Sequence, residues 1–188
     1  MGAGAVLVLS LAVLPRAVAW RLPGHNQGFA PGQPIAFSHR LHAGDLGITC
    51  QYCHFGADRS RYAGIPPVQV CLNCHRYVNP NDSPEIQKLY DAAGLGDDMN
   101  RDPAKRLQPV AWVRVHELPS FVRFDHSRHV VAGVNCRECH GPVERMDRIR
   151  QTATLAMGMC VNCHRRVNRT GVNGRAVHAS LDCGVCHY

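Results

Sequence analysis

The chain has 188 residues and a formal net charge of +7, a length that fits one domain or two small ones. It contains 17 glycines and 12 prolines but only 6% aromatic residues. The chain can therefore form only a small core of side chains, and its fold needs other stabilising links. The charge does not indicate a nucleic-acid partner, because the sequence has no basic run interleaved with aromatic residues.

Residues 1–20 are predicted to be a membrane anchor or a secretory signal segment. They are apolar apart from Ser10 and Arg16. A stretch of this length can just span a bilayer, although Arg16 would be unfavourable near its centre. An A-x-A cleavage site at 17–19 favours a signal segment. Both alternatives predict export of the rest of the chain, with residues 21–36 as a linker.

The ten cysteines form five C-x-x-C-H motifs, and none is left over. In chain order these motifs are Cys50, Cys53 and His54 (motif 1); Cys71, Cys74 and His75 (motif 2); Cys136, Cys139 and His140 (motif 3); Cys160, Cys163 and His164 (motif 4); and Cys183, Cys186 and His187 (motif 5). A disulfide framework would explain the even count but not the histidines. Zinc sites of four thiolates would leave one cysteine pair over and the histidines unused.

C-x-x-C-H is the attachment signature of c-type haem. Two thioether bonds hold the edge of the porphyrin, and the adjacent histidine reaches the iron from one face. The sequence therefore predicts five haem c groups, bound through all ten cysteines, with the motif histidines as proximal iron ligands.

Two segments, 37–42 and 124–129, share the pattern F-x-H-x-x-H and lie a short way ahead of motifs 1 and 3. They supply four of the seven histidines outside the motifs: His39, His42, His126 and His129. Histidines three apart lie on the same side of a helical turn but point in diverging directions. We expect one of each pair to bind the iron of the following haem and the other to bind a different iron, as distal ligands.

These features repeat along the chain. His126 follows His39 by 87 residues, and Cys160 follows Cys71 by 89. The repeat predicts a pentahaem domain over 37–188, made of two diverged two-haem halves at about 37–75 and 124–164 with a fifth haem at 183–187. We expect a mostly irregular fold with short α-helices around a haem stack, as in class III-like multihaem cytochromes c, preceded by an N-terminal transmembrane helix if residues 1–20 are an anchor.

A helix is predicted between the two halves. Ser83 suits the N-cap, Pro84 the first helical position, and Gly94 the position just past the end. The apolar residues of this segment are spaced for one helical face: Ile86, Leu89 and Tyr90.

One iron is left without a distal histidine from the F-x-H-x-x-H segments. We favour Met157, because methionine ligation raises a haem potential and would suit an electron exit. His178 and His116 are the alternatives. With every iron six-coordinate, no position is open for a substrate, so the sequence predicts electron transfer and no catalytic residue.

Several stretches resemble one known family. These stretches are "QPIAFSHRLHAGDLGITCQYCH", "PPVQVCLNCH", "DSPEIQKLYDA", "WVRVHELPSFVRFDHSRHVVAGVNCRECHG", "LAMGMCVNCHR" and "VHASLDCGVCHY". Together they are similar to the pentahaem cytochrome c subunit of alternative complex III, over roughly residues 33–188.

The resemblance implies a subunit of a membrane-bound, menaquinol-oxidising complex on the periplasmic face of the cytoplasmic membrane. Such a subunit receives electrons through an iron–sulfur subunit, so menaquinol is only an indirect partner. It passes electrons to a monohaem cytochrome c subunit or a soluble carrier, and so to a terminal oxidase or a photosynthetic reaction centre. By resemblance most irons have two histidine ligands. The alternatives are a free periplasmic multihaem electron carrier and, less favoured, a multihaem reductase.

Overall fold

A computed structural model of the chain describes residues 26–79 and 82–188. The predictions for residues 1–20 therefore lie outside the described residues. Within the described ranges, no helix has the length and apolar character needed to cross a bilayer.

The helices are short, and most of them carry a C-x-x-C-H motif. In chain order they are α1 Cys50–Cys53, α2 Val68–His75, α3 Pro84–Ala92, α4 His126–Val131, α5 Arg137–His140, α6 Met157–Thr170 and α7 Cys183–Cys186. A π-helical turn at Arg40–Asp45 and a 3₁₀ turn at Val143–Arg145 complete the set for the described residues. There the only β-type pairing is three isolated bridges. The predicted fold class, mostly irregular with short helices, is confirmed.

Elements occur in the same order in the two predicted halves. The π-turn, α1 and α2 follow each other in the first half, as α4, α5 and α6 do in the second. The two halves differ in the helix that carries their second motif, which has 8 residues in α2 and 14 residues in α6. The division into two-haem halves stays a prediction.

The predicted helix between the halves is confirmed as α3. It begins at Pro84 after an N-cap at Ser83, although the Ser83 side chain makes no capping hydrogen bond. Its apolar face packs against α2 in a cluster of Leu72, Leu89, Tyr90, Ala93 and Leu95. The Tyr90 hydroxyl also donates a hydrogen bond to the His75 carbonyl oxygen at 2.6 Å, which fixes α3 beside motif 2.

Side-chain packing outside this cluster is sparse. Only eight hydrophobic residues are buried in the described part of the chain. By contrast, many large apolar side chains close to the motifs are exposed, among them Leu41, Tyr52, Phe55, Met157, Val185 and Tyr188. A chain with this distribution can bury its apolar surface only against something other than its own side chains.

The π-turn lies against the segment that follows motif 3. The Arg40 N–H donates to the Met146 carbonyl at 2.9 Å, and its guanidinium pairs with Asp147 at 3.0 Å. Gly44 lies so close to the carbonyl oxygen of Glu144 that a Cβ at this position would clash with it. Backbone contact and ion pair together join the first half of the chain to the second.

We expect the haem-free chain to lose most of its helical structure, because the few buried side chains cannot offset the conformational entropy of the loops. The measurement is the far-ultraviolet circular dichroism of a variant with all ten cysteines changed to alanine, compared with the haem-loaded protein in the same buffer. A native-like helical spectrum from the haem-free variant would contradict this expectation.

Candidate haem ligands

Each motif folds into a tight turn that brings its two thiols and its imidazole together. Three of the five motifs show the turn directly, since the histidine N–H donates to the carbonyl of the first cysteine at 2.8 Å for His54, 2.9 Å for His140 and 2.9 Å for His187. All ten cysteines lie in the described residues, and none of them forms a disulfide bond. The described residues contain no group of three or more ligating side chains placed for a single metal ion. A haem iron, however, takes only its axial ligands from the protein.

Six of the candidate imidazoles are held through Nδ1 by a backbone carbonyl. The pairs are His42 with Ser38 at 2.8 Å, His54 with Gly64 at 2.7 Å, His75 with Val78 at 2.8 Å, His126 with Arg61 at 2.9 Å, His129 with Asp125 at 2.8 Å and His164 with Ser180 at 2.6 Å. A carbonyl oxygen can only accept, so Nδ1 carries the proton and the lone pair is on Nε2. This is how proteins orient a histidine that binds a metal.

Both F-x-H-x-x-H segments have the same ring geometry. Phe37 meets His39 edge-on at 4.9 Å and stacks on His42 at 4.3 Å, measured between ring centroids. Phe124 meets His126 edge-on at 4.8 Å and stacks on His129 at 4.6 Å. One phenylalanine therefore holds the two imidazoles of its segment in nearly perpendicular orientations.

Three of the four distal candidates face a motif histidine at a separation that one iron can bridge. The ring centroids are 6.0 Å apart for His42 and His75, 6.3 Å for His126 and His140, and 6.1 Å for His129 and His164. If iron–imidazole bonds resemble the zinc–imidazole bonds of about 2 Å, two rings on opposite faces of one metal have centroids about 6 Å apart. The residues present therefore fit a haem iron with two histidine ligands at motifs 2, 3 and 4.

His39 lies near His54 of motif 1. Burial lowers the pKa of His39 to about 4, with further lowering by the charges of His54 and His42. Its Nδ1 is buried and has no hydrogen-bond partner. A buried imidazole that stays neutral and lacks a polar partner fits a ligand of the iron at motif 1.

His140 is a partly buried proximal candidate. Burial lowers its pKa to about 4, and the neighbouring charges of His116 and His126 lower the pKa further. An imidazole binds iron only in its neutral form, so this environment keeps His140 available as a ligand at neutral pH.

The three candidates for the remaining iron lie in different places. The His116 ring meets that of His140 edge-on at 4.4 Å, so His116 lies at motif 3. His178 is exposed and adjoins Ala179, whose backbone is held by Asn168 on α6. Met157 begins α6 and is 67% exposed.

The helix that begins at Met157 also carries Cys160, whose thiol is influenced by Cys186 of motif 5. Met157 and Cys160 are three residues apart on α6, and therefore on the same side of the helix. Burial raises the pKa of the Cys160 thiol, and the nearby Cys186 raises it further. The ring of Phe121 stacks on that of His187 at a centroid distance of 5.9 Å. Among the described residues, no other histidine has a ring contact with His187.

Sequence reasoning missed the carbonyl oxygens that orient the imidazoles. Those of Ser38 and Asp125 lie four residues before their histidines and follow from the helical turn. By contrast, Arg61 lies 65 residues from His126, and Ser180 lies 16 residues from His164. No local sequence pattern identifies a carbonyl that accepts a hydrogen bond from a histidine so distant along the chain.

Residues 122–188 match the family described as "Cytochrome c7 and related cytochrome c". The matched residues contain motifs 3, 4 and 5, and with the paired imidazoles they make this part of the chain similar to multihaem cytochromes c, electron-transfer proteins that bind haem c covalently. Over 175 residues the chain is also 28% identical to "Menaquinone reductase, multiheme cytochrome c subunit" of Nitratidesulfovibrio vulgaris. This similarity covers 82% of the chain and 76% of that relative.

We expect the change His129→Ala to convert one haem from low spin to high spin, because it removes the imidazole that faces His164 at 6.1 Å. Electron paramagnetic resonance of the ferric protein would show a new high-spin signal and the loss of one low-spin component. The matched control is Arg128→Ala, which changes the exposed neighbour of His129 on α4 and removes no imidazole. An unchanged spectrum for His129→Ala would contradict the pairing.

Proposed function

We propose that the chain carries five haem c groups and conducts electrons as a subunit of a membrane quinone-oxidoreductase complex. The observation that carries the proposal is the set of three imidazole pairs at 6.0–6.3 Å, each containing at least one ring whose Nδ1 is held by a carbonyl. Two imidazole ligands leave no open coordination position. This ligation favours electron transfer over a reductase reaction.

The ring distances support three of the five proposed ligand pairs, those of motifs 2, 3 and 4. Motif 1 takes His54 and His39, motif 2 takes His75 and His42, motif 3 takes His140 and His126, motif 4 takes His164 and His129, and motif 5 takes His187 and Met157. The bound haem supplies a reversible one-electron couple. The chain's own contribution is to fix the imidazoles through carbonyl acceptors and stacked phenylalanines, so that little rearrangement accompanies a change in iron charge.

The proposed partners rest on similarity. The name of the Nitratidesulfovibrio relative joins a multihaem cytochrome subunit to menaquinone. The residues that resemble alternative complex III support the same kind of partner, with membrane quinone-reacting subunits and an iron–sulfur subunit on one side and a monohaem cytochrome c or soluble acceptor on the other. We place the protein on the periplasmic face of the cytoplasmic membrane, because covalent haem attachment and the apolar residues 1–20 both favour an exported chain.

The name of the relative supports a second direction of electron flow. A menaquinone reductase delivers electrons to the quinone, whereas the resemblance to alternative complex III implies electrons that come from menaquinol. Both directions use the same haem chain. The potentials of the haems relative to that of menaquinone decide between them.

One preparation tests the proposal. We expect the protein, isolated from membranes in mild detergent, to have the mass of the chain plus five haems and to be accompanied by larger membrane subunits. Adding menaquinol to this complex should reduce the haems; in the second direction, a reduced haem chain should instead reduce menaquinone. A mass with fewer than five haem adducts, or a soluble protein without partners that reacts with neither form of the quinone, would refute it.

Met157 is proposed as the distal ligand at motif 5 because α6 places it on the side of Cys160, close to Cys186. We expect Met157→His to lower one midpoint potential and to remove the far-red absorption band of thioether-ligated ferric haem. Spectroelectrochemistry measures both. The matched control is Met159→Leu, which should leave the band in place. Five unchanged potentials in Met157→His would exclude Met157 as a ligand.

A further inference from the structure

We propose that the five haem-attachment motifs lie in one unbranched row in the order motif 2, motif 1, motif 3, motif 4, motif 5. The inference rests on the proposed function, in which every motif carries a haem. It adds which haems are neighbours and which two are the ends. The order differs from that of the sequence, because motif 1 is internal and motif 2 is terminal.

Motifs 2 and 1 are joined directly. The side-chain amide of Asn73, within motif 2, donates to the hydroxyl of Tyr52, within motif 1, at 3.0 Å.

Motif 1 also contacts motif 3. The loop after motif 1 supplies the Arg61 carbonyl, which accepts from the backbone N–H of His126 at 3.2 Å and from its Nδ1 at 2.9 Å. His126 in turn faces His140 of motif 3 at 6.3 Å. The first half of the chain thus meets the second through motifs 1 and 3.

The link from motif 3 to motif 4 is an ion pair. The carboxylate of Glu138, within motif 3, lies 3.5 Å from the guanidinium of Arg166, two residues past motif 4 on the same helix.

The segment before motif 5 is fastened to α6, which carries motif 4. The His164 Nδ1 donates to the Ser180 carbonyl at 2.6 Å. The Asn168 side chain donates to the Ala179 carbonyl at 2.9 Å and accepts from the Ala179 N–H at 2.7 Å.

Motif 2 has no second neighbour among the other motifs. Within residues 26–79 and 82–188, no hydrogen bond or ion pair joins α2 to motifs 3, 4 or 5, and none joins motif 5 to the residues of motifs 1, 2 or 3. Motif 5 does contact the segment that precedes His126, because the Cys186 carbonyl accepts from the Arg123 N–H at 2.8 Å. The opposite side of α2 is covered by α3. The haems of motifs 2 and 5 are therefore the ends of the row. Each transfer along it oxidises one ferrous iron and reduces its ferric neighbour, with no bond made or broken.

The test counts how many other haems change their midpoint potential when one haem ligand is replaced in the haem-loaded protein. His39→Met and His42→Met alter ligands three residues apart, and each substitution raises the potential of one haem. An iron that is reduced earlier carries one positive charge less, which lowers the midpoint potential of the haems beside it. We expect His39→Met, at motif 1, to shift the midpoint potentials of two other haems. His42→Met, at motif 2, should shift that of one other haem.

The reverse count, with one shifted potential for His39→Met and two for His42→Met, would overturn the proposal in favour of a row in sequence order. Three or more shifted potentials would indicate a branched arrangement, and none would mean that the motifs are not neighbours; both outcomes also overturn it. The intact mass separates this failure from that of the proposed function. A protein with five haems and the wrong count disproves the order alone, whereas missing haems disprove the function.

A second measurement does not depend on the folding of either variant. A crystal structure of the unmodified haem-loaded protein should place the iron of motif 1 between those of motifs 2 and 3. An iron at motif 2 that lies nearer to motif 3 than to motif 1 would overturn the order.

Discussion

Imidazoles fixed through Nδ1 are the constraint on which the candidate site depends. When a carbonyl oxygen accepts the Nδ1 proton, the lone pair is confined to Nε2 and the ring is aimed in one direction. Two proximal candidates, His75 and His164, are held in this way. So are two distal candidates, His42 and His129. The gap of about 6 Å between such rings is then a property of the folded backbone, and it matches the requirement of a metal with two imidazole ligands.

The duplicated segments show how a short sequence can serve two sites. In each segment one phenylalanine contacts one imidazole edge-on and stacks on the other. In the second segment, His126 faces motif 3 and His129 faces motif 4. A single helical turn therefore joins two haem sites rather than completing one. This geometry makes the distance between neighbouring sites depend on local backbone structure, which is stiffer than a loop.

The sparse side-chain core follows from the same design. A cluster around Leu72 and Tyr90 fastens α3 to α2, while most apolar side chains near the motifs are exposed. Porphyrin faces are large and apolar, so the haem supplies the surface that an ordinary domain would build from leucine and phenylalanine. Fold and function are therefore coupled. On the proposed function, the groups that move electrons are also the groups that hold the chain together.

Local patterns were enough to predict the chemistry and the local structure. The C-x-x-C-H spacing indicates covalent haem because two thiols and an imidazole must lie within one turn, and the segment beginning at Ser83 and Pro84 carries its own start and stop signals for α3. The identity of the imidazole pairs depends on contacts across the chain, such as that between the Arg61 carbonyl and His126. The order of the motifs depends on similar contacts, such as that between Tyr52 and Asn73. The sequence by itself determined which side chains can bind haem, because that is a matter of residue type and spacing. Only the tertiary structure decided which of them face each other, because that depends on how distant segments pack.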